Sequence, residues 1–298
     1  MKNSILEPFI KSVENVTMCG IIVIKDGEKI AEYDWEPKMR MNQYSASKSF
    51  TSAAVGMAIK EGLINLDDKV IEYFPESIPK KIPPELESLK VKHLLTMSVG
   101  HDEAYLMGTQ RPLMKEKDWV KFSLGIPFKY KPGTKFLYSN VGPYLAGMIV
   151  QRKAGCNLVD YLMPRLFEPL QTLRPTWECD PMGNTFGAGG LFLTVNDLAK
   201  FSQLYLQKGI WNGKQIIPKE WVEATAKPQI STDRDDVYSN AYSYLFWHGP
   251  NKSYRADGKY GQFGIILPEK NAVIAINAYN RDQGNILDLL WKNLYPMI

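Results

Sequence analysis

The 298-residue chain is 45% hydrophobic and 23% charged, enough to bury one large core or two modest ones and too apolar for a disordered chain. Its 36 basic and 32 acidic residues leave a net charge of +4 with no long single-sign block, so nothing argues for a nucleic-acid or anionic-membrane partner. Three widely spaced cysteines (Cys19, Cys156, Cys179), no C-x-x-C and three scattered histidines indicate neither a disulfide framework nor a metal site.

The opening stretch, MKNSILEPFIKSVENVT, carries charges every few residues and no apolar signal-peptide core. No run reaches the roughly eighteen apolar residues needed to span a bilayer. A cytoplasmic protein is expected, or an exported one if a signal has been removed. Residues 3–16 read as a helix with Ile5, Leu6, Phe9, Ile10 and Val13 on one face. CGIIVIKDGEKIAEYDW reads as two strands joined at Asp26-Gly27, a strong hairpin signal. QYSASKSFTSAAVGMAIKEG reads as a buried helix ending near Gly62.

Residues 63–90 are turn-rich and proline-broken. VKHLLTMSVG suggests a short helix, as do residues 116–124 and 141–154, the last two separated by the loop GIPFKYKPGTKFLYSN. Thr194 or Asn196 is placed to cap a helix over DLAKFSQLYLQKG, and Pro218 suits the first turn of another. YSYLFWHG, SYRADG, QFGIILPE and NAVIAINAY then read as four antiparallel strands, followed by a helix over roughly 284–294. The expected architecture is α/β of the α+β kind. An antiparallel sheet is built from both chain ends and flanked by the terminal helices, with a mostly helical region inserted. The expected division is 1–44 with 205–298 as the sheet unit and 45–204 as the helical unit, the active site lying between them.

Several chemistries lack their motifs. There is no G-x-S-x-G elbow, no H-E-x-x-H and no G-x-G-x-x-G after a strand. GIWNGKQ, from Gly209, falls one residue short of a P-loop and has Gln215 where a hydroxyl is required. What stands out is Lys48, an ammonium near the start of an apolar helix, where burial and the helix dipole both disfavour a cation. Ser45 lies three residues earlier, on the same helical face. A lysine kept neutral there could take the serine's proton.

S-x-x-K is a low-information pattern and recurs at Ser77-Ile78-Pro79-Lys80, but among prolines that disfavour a helix. Tyr-x-Asn also occurs twice. Tyr138-Ser139-Asn140 sits between the Pro132-Gly133 turn and an apolar helix, whereas Tyr238-Ser239-Asn240 follows the charged TDRDDV and reads as surface.

The set Ser45, Lys48, Tyr138 and Asn140, followed by a glycine-bearing late strand, resembles the serine β-lactamase and penicillin-binding-protein superfamily, in its class C-like branch of bacterial esterases, D-amino-acid amidases, DD-peptidases and nylon-oligomer hydrolases. VKHLLTMSVG, FKYKPGTKFLYSN and GAGGLFLTVNDLAKF are similar to further segments of that family. The resemblance implies a β-lactamase/transpeptidase-like fold and a serine hydrolase acting through an acyl-enzyme on a small ester or amide, without metal or cofactor. It implies Ser45 as nucleophile, Lys48 as its activator, Tyr138 as proton relay and Asn140 as orienter of Lys48 and of substrate. It further implies an oxyanion site formed by the Ser45 N–H and that of Lys259, just after Gly258.

One departure is visible. Relatives carry Lys-Thr-Gly or His-x-Gly where this chain has Ala256-Asp257-Gly258. Asp257 would repel a β-lactam carboxylate unless Arg255 or Lys259 compensates, which counts against a penicillin-interactive DD-peptidase or β-lactamase. A non-catalytic ligand-binding or sensor homologue is the remaining alternative. The aromatic residues Tyr105, Trp177, Tyr244 and Trp247 are candidates for a pocket lining, each of a type more often found in a core.

Overall fold

The computed structural model describes residues 5–281 and 283–298. Strand β1 (Met18–Lys25) turns at Asp26 and Gly27, with φ of +52° and +85°, into β2 (Glu28–Asp34). Both turn residues take positive φ, the geometry that makes Asp-Gly favourable in a two-residue hairpin. From the far end of the sequence come β3 (Ile230–Ser231), β4 (Ala241–Tyr242), β5 (Trp247–His248), β6 (Tyr254–Gly258), β7 (Gln262–Leu267) and β8 (Ala272–Ala278). They complete an eight-stranded sheet in the order β2-β1-β8-β7-β6-β5-β4-β3. β8 runs antiparallel to β1, pairing Lys25 with Ala272 and Met18 with Ala278. The sheet is thus closed by strands from both ends of the chain.

Both faces of the central strands are covered. Ile21, Val23, Ile265, Ile274 and Ile276 pack with Phe9 of α1 (Glu7–Ser12) and with Ile286 and Leu290 of the last helix, Gln283–Asn293. Ile22, Ile24, Ile266, Val273 and Ala275 face the opposite core with Leu198 and Phe201 of the helix Val195–Leu206. Double coverage explains why MCGIIVIK and AVIAINA are nearly continuous apolar runs, although every pairing is antiparallel.

Between the sheet strands lie α2 (Ser47–Lys60) and α3 (Val141–Ala154), packed on each other and buried around most of their circumference. The helix Val195–Leu206 is α4 and the last helix is α5. Thr194 caps α4: its Oγ1 accepts from the Asp197 N–H at 3.2 Å, and Asp197 Oδ2 accepts from the Thr194 N–H at 3.1 Å.

Two elements differ from expectation. The first helix spans only Glu7–Ser12. Ser12 Oγ donates to the Phe9 carbonyl at 2.7 Å and Val13 has left helical geometry, so the apolar periodicity outlasts the helix. YSYLFWHG is not one strand but parts of β4 and β5 around a reversal at Leu245, where φ is +64°. The reversal is pinned from the helical side: the Leu245 N–H donates to the Leu95 carbonyl at 3.0 Å, and its carbonyl accepts from Ser49 Oγ on α2 at 2.9 Å.

Candidate active site

Ser45 sits on a single 3-10 turn, Tyr44–Ala46, that feeds directly into α2. The turn is held on its approach side. Met41–Asn42 pairs with Phe192–Leu193, the Gln43 N–H donates to the Leu191 carbonyl at 2.8 Å, and the Tyr44 N–H donates to Asn42 Oδ1 at 2.7 Å. Tyr44 has a φ of +44°, a left-handed conformation costing a non-glycine residue about 1–2 kcal/mol. This strained bend turns the chain sharply, so that Ser45 stands at the amide-rich end of α2. Nothing in the sequence marks Tyr44 for this, since tyrosine is not a left-handed former.

Lys48 is 1% exposed and its Nζ donates to Ser45 Oγ at 2.9 Å and to the Ala188 carbonyl at 2.6 Å. Among the described residues no carboxylate forms an ion pair with it. Burial is the main cause that holds its pKa well below an ordinary lysine's, helped by the Arg111 charge and opposed by Asp257. The Nζ also lies 5.1 Å from the centre of the Tyr138 ring. Tyr138 stacks on Trp247 with ring centres 5.3 Å apart. Burial pushes its phenol above the usual range, partly opposed by a side-chain hydrogen-bonding interaction with Ser45, so it stays protonated at neutral pH. The Ala188 carbonyl is a participant that the sequence reading quoted in GAGGLFL without giving it a role.

Gly258 ends β6, and Lys259, Tyr260 and Gly261 form the turn into β7, with the Gly261 N–H donating to the Gly258 carbonyl at 3.0 Å. A Cβ on Gly258 would lie 2.5 Å from the Gln43 carbonyl oxygen. Only a glycine lets this strand end press against the turn carrying Ser45. Lys259 lines the same cleft as Ser45 and Tyr138, a space of about 610 Å³.

Asn140 is placed differently. It is buried at the start of α3, where its Nδ2 donates to the Leu106 carbonyl at 2.9 Å while its Oδ1 is buried without a hydrogen-bond partner. It makes no hydrogen bond to Lys48; the Ala188 carbonyl fills that place.

The late strand carries its own compensation. Arg255 Nε donates to Asp257 Oδ2 at 2.8 Å and Nη2 lies 2.8 Å from the same oxygen, a buried ion pair with both side chains 6% exposed. Residues two apart on a strand share a face, so both point into the cleft while Ala256 between them is packed in the core. The cleft is also lined by Arg234, Asp236, Tyr238 and Ser239. The second Tyr-x-Asn, read as surface, therefore contributes Tyr238 and Ser239 to the cleft wall, because pairing of β3 with β4 carries the intervening loop there. Of the four candidate lining aromatics, Trp247 is among the cleft residues and Tyr105, Trp177 and Tyr244 are not. Ser77, the other S-x-x-K serine, sits on the separate 3-10 turn Pro75–Ser77.

All three cysteines are free thiols. Among the described residues no cluster of three or more His, Cys, Asp or Glu could hold a metal, and no helix is long and apolar enough to cross a membrane.

Comparison with known proteins gives a consistent result. A family profile described as Beta-lactamase matches residues 18–288. The 6-aminohexanoate-dimer hydrolase of Paenarthrobacter ureafaciens is 26% identical over 288 residues, covering 88% of this chain and 72% of its own. The N-acetylmuramyl-L-alanine amidase of Bacillus subtilis is 23% identical, covering 86% and 75%. The octameric penicillin-binding protein homologue from Pyrococcus abyssi superposes with a TM-score of 0.75 at 23% identity, over 97% of this chain and 75% of that one.

Proposed function

The chain belongs to the beta-lactamase family, and on that premise we propose that it is a serine hydrolase cleaving a small ester or amide through an acyl-enzyme on Ser45. The observation that carries this reading is the 2.9 Å contact between a buried Lys48 amine and Ser45 Oγ. In this reading neutral Lys48 takes the hydroxyl proton as Ser45 Oγ attacks the acyl carbon. Tyr138 passes a proton to the departing oxygen or nitrogen, and later helps water release the acyl group. The developing oxyanion sits between the N–H groups of Ser45 and Lys259, brought together by the bare Cα of Gly258. Asn140, with its unpaired buried Oδ1, is free to accept from a substrate N–H.

An amide is favoured by two relatives, whose names are those of an amide-dimer hydrolase and an amidase. Arg255 cancels the Asp257 charge but has its own N–H groups engaged, with Nη1 on the Tyr238 carbonyl as well, which leaves no free cation at Ala256 for a β-lactam carboxylate. We also propose that a sheet unit and a helical unit meet at this cleft, α4 going with the sheet it packs on. No cofactor is needed.

The test is incubation with p-nitrophenyl acetate and butyrate, and separately with a fluorescent penicillin, followed by mass spectrometry of the protein. Ester turnover and a transient acyl mass on Ser45, both lost in Ser45→Ala, are expected. A stable penicilloyl mark would instead favour a penicillin-interactive enzyme. Silence of folded protein toward every donor would favour a binding homologue.

A further inference from the structure

Lys48 is held by an acceptor that is itself held. The chain from Gly187 to Leu191 runs along α2, and its successive carbonyls accept from side chains. Thr51 Oγ1 donates to the Gly187 carbonyl at 2.8 Å, Lys48 Nζ to the Ala188 carbonyl at 2.6 Å and Trp177 Nε1 to the Gly189 carbonyl at 2.9 Å. Ser47 Oγ accepts from the Leu191 N–H at 3.0 Å. Thr51 is three residues after Lys48 and four after Ser47, so a single face of α2 grips the segment.

The grip is specific. Buried helical hydroxyls commonly turn back on their own helix, and Ser123, Ser202 and Thr225 each donate to the carbonyl four residues earlier. Thr51, fully buried, donates across to Gly187 instead. The segment needs such ties. Gly187, Gly189 and Gly190 surround Ala188, and Gly187 and Gly190 take φ of +67° and +80°, so the backbone alone does not select the conformation that aims the Ala188 carbonyl.

That aim bears on the chemistry. A neutral amine carries two N–H groups and one lone pair. A carbonyl oxygen only accepts, so the amine must turn an N–H to Ala188, which sets the rotation about Cε–Nζ. The lone pair can then face Ser45 Oγ, 2.9 Å away, and receive the hydroxyl proton.

We infer that Thr51 and Trp177 are positioning residues: by gripping the Gly187 and Gly189 carbonyls they hold the Ala188 carbonyl on Lys48 Nζ, and that contact directs the amine's lone pair at Ser45 Oγ. The inference rests on the proposed acyl-enzyme function for the meaning of the Lys48–Ser45 contact. Neither residue is among those lining the cleft, so neither touches substrate.

The experiment measures p-nitrophenyl butyrate hydrolysis against pH for wild-type, Thr51→Val, Thr51→Ser and Trp177→Phe proteins, with circular dichroism to confirm folding. Thr51→Val keeps the side-chain shape and removes the donor. Its kcat is expected to fall about 10- to 10²-fold, the effect of a misdirected reacting group, with KM little changed. The acid limb of kcat/KM should also move down by about 0.7 in pH, because a carbonyl binds a charged donor more strongly than a neutral one and its loss disfavours the ammonium. The other groups acting on Lys48, which are Arg111, Asp257, Tyr138 and Ser45, are unaltered in this variant. Trp177→Phe should give the same signature, and Thr51→Ser, which keeps the hydroxyl, should stay near wild type. A merely structural loss lowers kcat by the fraction of protein inactivated and leaves the limb in place. A limb that stays or moves up, or a Thr51→Ser variant no better than Thr51→Val, overturns the inference and leaves the hydrolase reading intact. NMR titration of the Lys48 ε-carbon, assigned by its loss in Lys48→Met, reads the same contact without turnover. A lower titration midpoint in Thr51→Val than in wild type supports the inference even if no ester is cleaved, and an equal or higher one overturns it.

Discussion

Gly258 and Gln43 meet so closely that a Cβ on the glycine would lie 2.5 Å from the Gln43 carbonyl oxygen and 2.6 Å from Gln262 Oε1. Gln43 is two residues before Ser45, and Lys259, one residue after Gly258, carries the other proposed oxyanion donor. One contact therefore sets the spacing of both N–H groups. Gly258→Ala is expected to push the strand end off the Ser45 turn. The loss in kcat is about 10²–10³-fold, that of one oxyanion donor, and KM for a small ester changes much less. Steady-state kinetics on p-nitrophenyl butyrate, with circular dichroism to confirm folding, checks it; near-wild-type kcat would remove Lys259 from the oxyanion site.

The amine of Lys48 has two partners, Ser45 Oγ and the Ala188 carbonyl. Lys48→Met retains the apolar stem and removes the base, so kcat/KM is expected to fall by at least about 10³-fold. The fold should survive. Lys48→Arg should be equally inactive, because a guanidinium stays charged and cannot take the proton. Activity in either variant within tenfold of wild type would mean that another group activates Ser45.

The lowered Lys48 pKa gives a signed pH dependence. A base works only when neutral, so kcat/KM should rise with pH through an acid limb lying well below 10.5. No alkaline loss from Tyr138 is expected near neutrality, since its phenol is pushed up. Stability follows the same group. As pH falls below the unfolded pKa of about 10.4, the unfolded chain takes a proton on Lys48 and the folded chain does not. Lys48→Met should therefore gain stability relative to wild type as pH is lowered from 10 toward 7, as read by denaturant titration. A difference independent of pH would mean the folded amine is as basic as a free one.

The sequence made legible whatever depends on local stereochemistry. Asp26-Gly27 announced its hairpin, Thr194 its cap, and Ser45 with Lys48 their common helical face. What it hid depends on residues brought together from afar or on strain. Tyr44 adopts a positive φ because Asn42, Leu191 and the strand end at Gly258 hold the turn around it, not because of its own preference. The Ala188 carbonyl reaches Lys48 across 140 residues, and backbone acceptors have no sequence signature. Tyr238-Ser239-Asn240, after the charged TDRDDV, reads as surface, and most of that segment is exposed, but the sequence does not show that the surface in question is the wall of the cleft, lined by Arg234, Asp236, Tyr238 and Ser239. The pairing of Arg255 with Asp257 follows from strand alternation once the segment is known to be a strand. A motif match also does not reveal that Asn140 Nδ2 donates to the Leu106 carbonyl and not toward Lys48.

All three histidines are held down near a pKa of about 4, chiefly by burial. His101 is the clearest case. It is 2% exposed, packed against Phe128 and Tyr105, and neither ring nitrogen has a hydrogen-bond partner. A folded pKa below the unfolded value of about 6.5 means the unfolded chain binds more protons between the two. Stability is thus complete above about pH 6.5 and is lost as pH falls toward 4. At pH 5 the penalty from His101 alone is roughly 1–2 kcal/mol. His101→Phe fills the aromatic site without a titrating group or orphaned nitrogens, so it should flatten the acid limb and raise the midpoint of urea unfolding more at pH 5 than at pH 7.5. Equal shifts at both pH values would show that His101 acts through packing alone and that the acid sensitivity lies with His93 and His248.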